Sequence, residues 1–178
     1  IRHMIGEIGA GRLQPDHKLL EAMVHYLDAY PEKRHHPKED EFLFAPLRAR
    51  THEGDAALDK LEAEHADAEA RIAVLEAAVK AYAQDPANFE AFKAAFNDYA
   101  AFYRTHMMTE EREVLPLIRK HFTDEDWARA NAGFIADDPL SGTRATARAG
   151  EEDFAHIFSR LVAAAPAPIG LGAGPYKG

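Results

Sequence analysis

The sequence predicts an all-α fold, a bundle of amphipathic helices, and three observations predict it. Leu58, Leu61, His65, Ala68, Ile72, Leu75, Val79 and Tyr82 recur at alternating spacings of three and four, the stripe that a helix turns toward its neighbours in a bundle. Phe89, Phe92, Phe96, Tyr99, Tyr103, His106, Glu110 and then Val114 or Glu113 repeat the pattern. Short polar or proline-bearing breaks, THEG and QDPAN, separate the helices, and helices joined by short loops pack as antiparallel neighbours.

The elements follow in chain order. IRHMIGEI reads as the end of a helix whose start is absent, so the first helix is expected to be truncated. GAGRLQPD is a loop, and Asp16 is placed to cap a helix beginning at His17. That helix is expected to run to about Arg50, with a bend or brief break near Pro31 and Pro37. The two striped helices come next, over residues 55 to 83 and from 89 onward. TDEDWARANAGF predicts a short capped helix packing Trp127 and Phe134, and EEDFAHIFSRLVAAA another with Phe154, Phe158 and Leu161 on one side. DDPLSGTRATARAG between them is read as a loop, and APAPIGLGAGPYKG as an extended strap, too rich in proline and glycine for regular structure. The organisation expected is a bundle over residues 1–122 and a C-terminal helical extension with its tail over 123–178.

Composition narrows the function classes. A chain of 178 residues with 47% hydrophobic content can bury one core. A net charge of -9 and a pI near 5.5 oppose a phosphate-binding surface, so neither nucleic acid nor membrane is expected as a partner. No run reaches the roughly 20 apolar residues of a spanning helix, no signal peptide is legible, and a cytoplasmic location is expected. With no cysteine, thiolate metal sites, iron-sulfur clusters and cysteine nucleophiles are excluded, so any metal is held by nitrogen and oxygen.

The polar residues on the apolar stripes carry the chemistry. Ionisable side chains are seldom fully buried unless paired or bound to a metal, yet His65, His106 and Glu110 occupy seam positions. Residues four apart share a helix face, so His106 with Glu110 and His65 with Glu69 can each converge on one site. His35 with Glu39 repeats the spacing on the second helix, within roughly 20° of the face carrying Val24 and Phe42 at about 100° per residue. Three HxxxE pairs at comparable depth make one shared centre feasible. Buried charge pairs cost desolvation, and three copies are better explained by a cation. Imidazole and carboxylate without thiolate suit iron, manganese, zinc or cobalt.

Other polar residues receive plainer readings. His36 stands in an HxxxD relation to Asp40 but is read as pointing about 100° away from His35. His17, some 18 steps from His35, would lie roughly 27 Å away along one helix. His25, His52, His121 and His156 lack a carboxylate on a shared apolar stripe. Asp40, Glu41, Glu111 and Glu113 are read as outer or surface carboxylates. The aromatic stripe is read as core that keeps the site dry, with Tyr103 one turn from His106 and able to donate a hydrogen bond to a bound ligand.

Through RHHPKEDEFLF, LEAEHADAE and YRTHMMTEEREVLPL, the chain resembles the hemerythrin-like family, the HHE cation-binding domains. FTDEDWARANAGF, DDPL and APAPIGLG extend the likeness to the tail of one bacterial subgroup. The resemblance implies an up-down four-helix bundle in which His35, Glu39, His65, Glu69, His106 and Glu110 line a pair of non-haem metals, iron before manganese or zinc, with glutamates placed to bridge. It also implies a first-helix histidine upstream of IRHMIGEI, which this sequence lacks; His3 lies too late to match it. Ferritin-like bundles differ, using Glu-x-x-His pairs with single glutamates.

Two functions follow from such a centre. One is a protein that binds or senses oxygen or iron or handles reactive oxygen or nitrogen species, with dioxygen, peroxide or nitric oxide as small ligands. The other is a di-iron enzyme with peroxidase-, catalase- or ferroxidase-like activity. Carboxylate-rich ligation favours the oxidised metal and tilts the reading toward redox or peroxide chemistry. A helical interaction module without metal is the third reading.

Overall fold

The computed structural model describes residues 1–135 and 160–165, and among these every regular element is helical. Helix α1 is short, Arg2–Gly9. Gly11, at φ 71°, supplies the left-handed turn out of it. Helix α2 occupies residues 17–50 without a break. Asp16 caps it as expected, its carboxylate accepting from the Leu19 N–H at 3.0 Å. Helix α3 is Asp55–Gln84. After a 3₁₀ turn at Pro86–Asn88, α4 runs over residues 89–121. Helix α5 is Asp124–Ile135.

The apolar α3 stripe positions are buried, and the side chain of His65 keeps only 6% exposure. Contacts between neighbouring helices run in opposite directions. His65 meets His36 on one side and His106 on the other, while Tyr82 meets Phe92 at the far end. α2, α3 and α4 therefore form an up-down-up core.

Instead of a break near Pro31 and Pro37, α2 continues through two π-helical segments, Asp28–His35 and Asp40–Phe44. A third, Glu110–Val114, lies in α4. Each lies beside a proline: Pro31 falls inside the first, Pro46 follows the second and Pro116 follows the third. Proline lacks an N–H and its ring crowds the carbonyl of residue i−4, and a π-bulge relieves that crowding by widening the turn by one residue.

The apolar interior is divided. One cluster, including Met4, Ile5, Leu20, Val24, Ile72, Leu75, Val79, Phe92 and Phe96, fills the end covered by α1. The other, including Phe44, Leu47, Leu58, Leu61, Val114 and Ile118, fills the opposite end. Buried His36, Glu39 and His106, with His65, lie in the polar layer between them.

Helix α5 lies along the second π segment of α2. Lys38 Nζ donates to the Gly133 carbonyl at 2.8 Å, and Asp126 pairs with Arg50 at 3.1 Å. A side chain at Gly133 would meet the Phe42 ring at 2.6 Å. Trp127 stays 43% exposed, with its ring edge on Phe122, while Phe134 packs against His35. Leu161 packs on the first apolar cluster. Phe154, Phe158, His156, DDPL and the closing strap from residue 166 on lie outside the described residues.

Candidate metal centre

Three imidazoles meet in the polar layer, one from each long helix. The rings of His36 and His65 stack at 4.3 Å between centroids and 8° between planes, and His106 lies 5.2 Å from His36 and 4.9 Å from His65. Donor atoms of His36, Glu39, His65 and His106 all fall within 4.8 Å of one another. Glu110 joins them, its Oε1 lying 3.2 Å from His106 Nε2.

The position of His36 differs from the straight-helix expectation, which turned His35 inward. At about 100° per residue, His35 and not His36 would follow Val24 on the inner face. The π segment Asp28–His35 takes up one extra residue, which moves the inner face on by one position. His36 is consequently buried, while the side chain of His35 is 35% exposed. His35 still reaches Glu39, with Nε2 3.2 Å from Oε1. Glu39, His65, His106 and Glu110 are brought together as the spacing suggests. Glu69 is not: it is exposed on α3, one turn past His65. The HxxxE rule fails there because a single face position, held by Ala68, already fills the stripe.

Carboxylates outside this group grip the far sides of the rings. Asp40 of α2 lies 2.8 Å from Nδ1 of His65 on α3, and Glu64 of α3 lies 2.9 Å from Nδ1 of His106 on α4. Glu32 stands 3.0 Å from Nδ1 of His36, at ion-pair distance but without the alignment of a directed hydrogen bond. Its other oxygen accepts a 2.5 Å bond from the Tyr99 hydroxyl. Sequence reasoning missed Glu32 and Glu64 altogether. Their signal was adjacency: Glu64 directly precedes His65, and Glu32 lies one helical turn before His36.

A cation fits the arrangement on the chemistry of its atoms. A carboxylate can only accept, so Asp40 and Glu64 place the imidazole protons on Nδ1. That leaves Nε2 of His65 facing Nε2 of His106 at 3.2 Å, two acceptors with no proton between them when both rings are neutral. His36 Nε2, Glu39 Oε2 and Glu110 Oε1 are also buried without a hydrogen-bond partner. Such groups cost free energy unless something positive joins them. In the protein alone a proton does part of this work. Burial pushes His106 down, but the contacts with the Glu110 and Glu64 carboxylates outweigh it and hold its pKa above the ordinary 6.5. Burial raises Glu110, and the His106 contact more than reverses this.

The surroundings are dry and aromatic. Phe44 stacks on His65, and Tyr103 lies 6.0 Å from both His36 and His106. Burial, then the nearby Glu39, Glu32 and Glu110 charges, push the Tyr103 phenol far above its ordinary pKa, so it remains an O–H donor. His17 sits against Tyr82 at the α1 end, away from the layer. His52 and His121 pair with Asp55 and Glu53, and His25 is exposed.

The family model described as the Hemerythrin HHE cation binding domain matches residues 1–118. Comparison with curated proteins and with solved structures returned no match.

Proposed function

We propose that this chain, which belongs to the hemerythrin HHE cation-binding family, holds a dinuclear non-haem iron centre in its polar layer and uses it on dioxygen, peroxide or nitric oxide. Among the described residues, no helix is long and apolar enough to cross a membrane. His36, Glu39, His65, His106 and Glu110 would hold the metal, with His35 on the outer side of Glu39. The observation that carries this reading is the cluster of buried acceptors that face one another without donors.

Glu39 lies between two imidazoles, with Oε1 3.2 Å from Nε2 of His35 and Oε2 3.7 Å from Nε2 of His65. Its buried, unpartnered Oε2 would hold metal on the His65 side, and Oε1 could serve a second ion. Nitrogen and carboxylate donors suit iron, and bound iron supplies one-electron redox chemistry. The protein's own part is to fix the donors and exclude water. Phe44 and Tyr103 close the layer from the two apolar ends, and the Tyr103 O–H is available to a bound oxygen or nitrogen ligand. Glu39 and Glu110 bring two negative charges to the centre, which stabilises the higher oxidation state and favours peroxide chemistry over reversible oxygen carriage.

Anaerobic titration of metal-free protein with ferrous iron tests this reading. Two iron ions per chain are expected, followed by near-ultraviolet absorption and peroxide consumption when peroxide is added. Binding of iron without peroxide consumption would move the function to binding or sensing. Failure to bind iron would overturn the proposal.

A further inference from the structure

We infer that Asp40 and Glu64 are positioning residues, which set the direction of the metal donors by holding Nδ1 of an imidazole on the neighbouring helix. The inference rests on the metal-centre reading for its effect on affinity, but not for the tautomer it assigns.

The two contacts follow one pattern. Asp40 follows Glu39 in α2, and Glu64 precedes His65 in α3. Adjacent residues on a helix point about 100° apart. One member of each pair therefore faces the centre while the other reaches round to the next helix. Asp40 bonds His65 at 2.8 Å, and Glu64 bonds His106 at 2.9 Å. Both distances lie in the range of strong, charge-assisted hydrogen bonds.

Glu64 is itself held in place. Lys60 Nζ lies 3.7 Å from its Oε1 and donates at 2.7 Å to the hydroxyl of Thr109 on α4. Lys60, Glu64, Thr109 and His106 thus join α3 to α4 beside the centre. A ring whose Nδ1–H is fixed this way has one nitrogen left, Nε2, and its lone pair is aimed into the layer. A carboxylate behind a ligating imidazole also raises its basicity, and losing such a partner typically costs about 10- to 100-fold in metal affinity.

Two measurements on the whole chain test the inference. The first is the ¹⁵N NMR of its imidazoles without metal and with the rings neutral. Nδ1–H signatures are expected for His65 and His106, and Nε2–H signatures would overturn the assignment whether or not the protein binds iron. The second is ferrous-ion affinity by chelator competition. Asp40→Leu and Glu64→Leu should each weaken binding by about 10- to 100-fold with the number of ions per chain kept. Asp40→Asn and Glu64→Gln, whose carbonyls still accept from Nδ1, should recover most of the loss. Leucine variants that bind as tightly as the unaltered chain would contradict the positioning role. Wild-type protein that binds no iron would sink the metal-centre reading instead, with the tautomer assignment still decided by the spectra.

Discussion

His35 and His36 are neighbours with opposite environments, one partly exposed and one sealed between His65 and His106. If His36 is a ligand and His35 only an outer partner of Glu39, their substitutions separate. His36→Ala should abolish iron binding, whereas His35→Ala should lower the affinity without emptying the centre; both are read by iron analysis after dialysis. Glu69, exposed on α3, provides the control: Glu69→Gln should leave metal content and stability within about 0.5 kcal/mol, the usual range for a surface change away from special contacts. Leu61, fully buried in the second apolar cluster, should cost about 2 to 5 kcal/mol when cut to alanine, measured by denaturant unfolding. That loss arises from a cavity and should not alter which residues bind metal.

The π segments act at the scale of the element. Pro31 stands within the segment that moves the inner face of α2 from His35 to His36. Replacing it by alanine restores an N–H and removes the ring clash, which permits ordinary α-helical closure. Pro31→Ala should therefore weaken iron binding while preserving helix content, a split visible by circular dichroism and metal analysis together. The same element shows what was legible in the sequence. Helix α3 was readable residue by residue, because Leu58 to Tyr82 keep a regular period through 30 uninterrupted helical residues. The inward His65, His106 and Glu110 were readable for the same reason. The ends of helix α2, at His17 and Arg50, are equally legible, but its inner face is not, because a constant angular step cannot register an inserted residue. Glu32 and Glu64 are not legible in the sequence because they act from beside the apolar stripe, where charge usually means solvent. At α5, Gly133 lies against the Phe42 ring. Gly133→Ala should cost about 1 to 3 kcal/mol as overpacking does, read by thermal unfolding.

For the whole molecule, the polar layer means that the two halves of the core meet through charged groups rather than through apolar contact. Stability should therefore depend on pH differently with and without metal. His106 is held above its ordinary value, where burial opposes and Glu110 and Glu64 prevail; His35 is raised chiefly by its bond to Glu39. Their contribution is fully present below about pH 6.5 and is lost as pH rises through the folded values. Glu110 and Glu32 are held below 4.5, because contacts with His106, and with His36 and Tyr99, outweigh the effect of burial. Their contribution is present above that value and is lost as pH falls through the folded ones. The metal-free protein should be most stable between these limits, with its melting temperature falling on either side. Bound metal requires unprotonated imidazoles, so iron should move the optimum upward. If a π-shifted His36 completes a metal centre between the two apolar cores, iron content per chain should be two ions in the unaltered protein and none in the His36→Ala variant. A variant that keeps both ions would mean that His36 holds no metal.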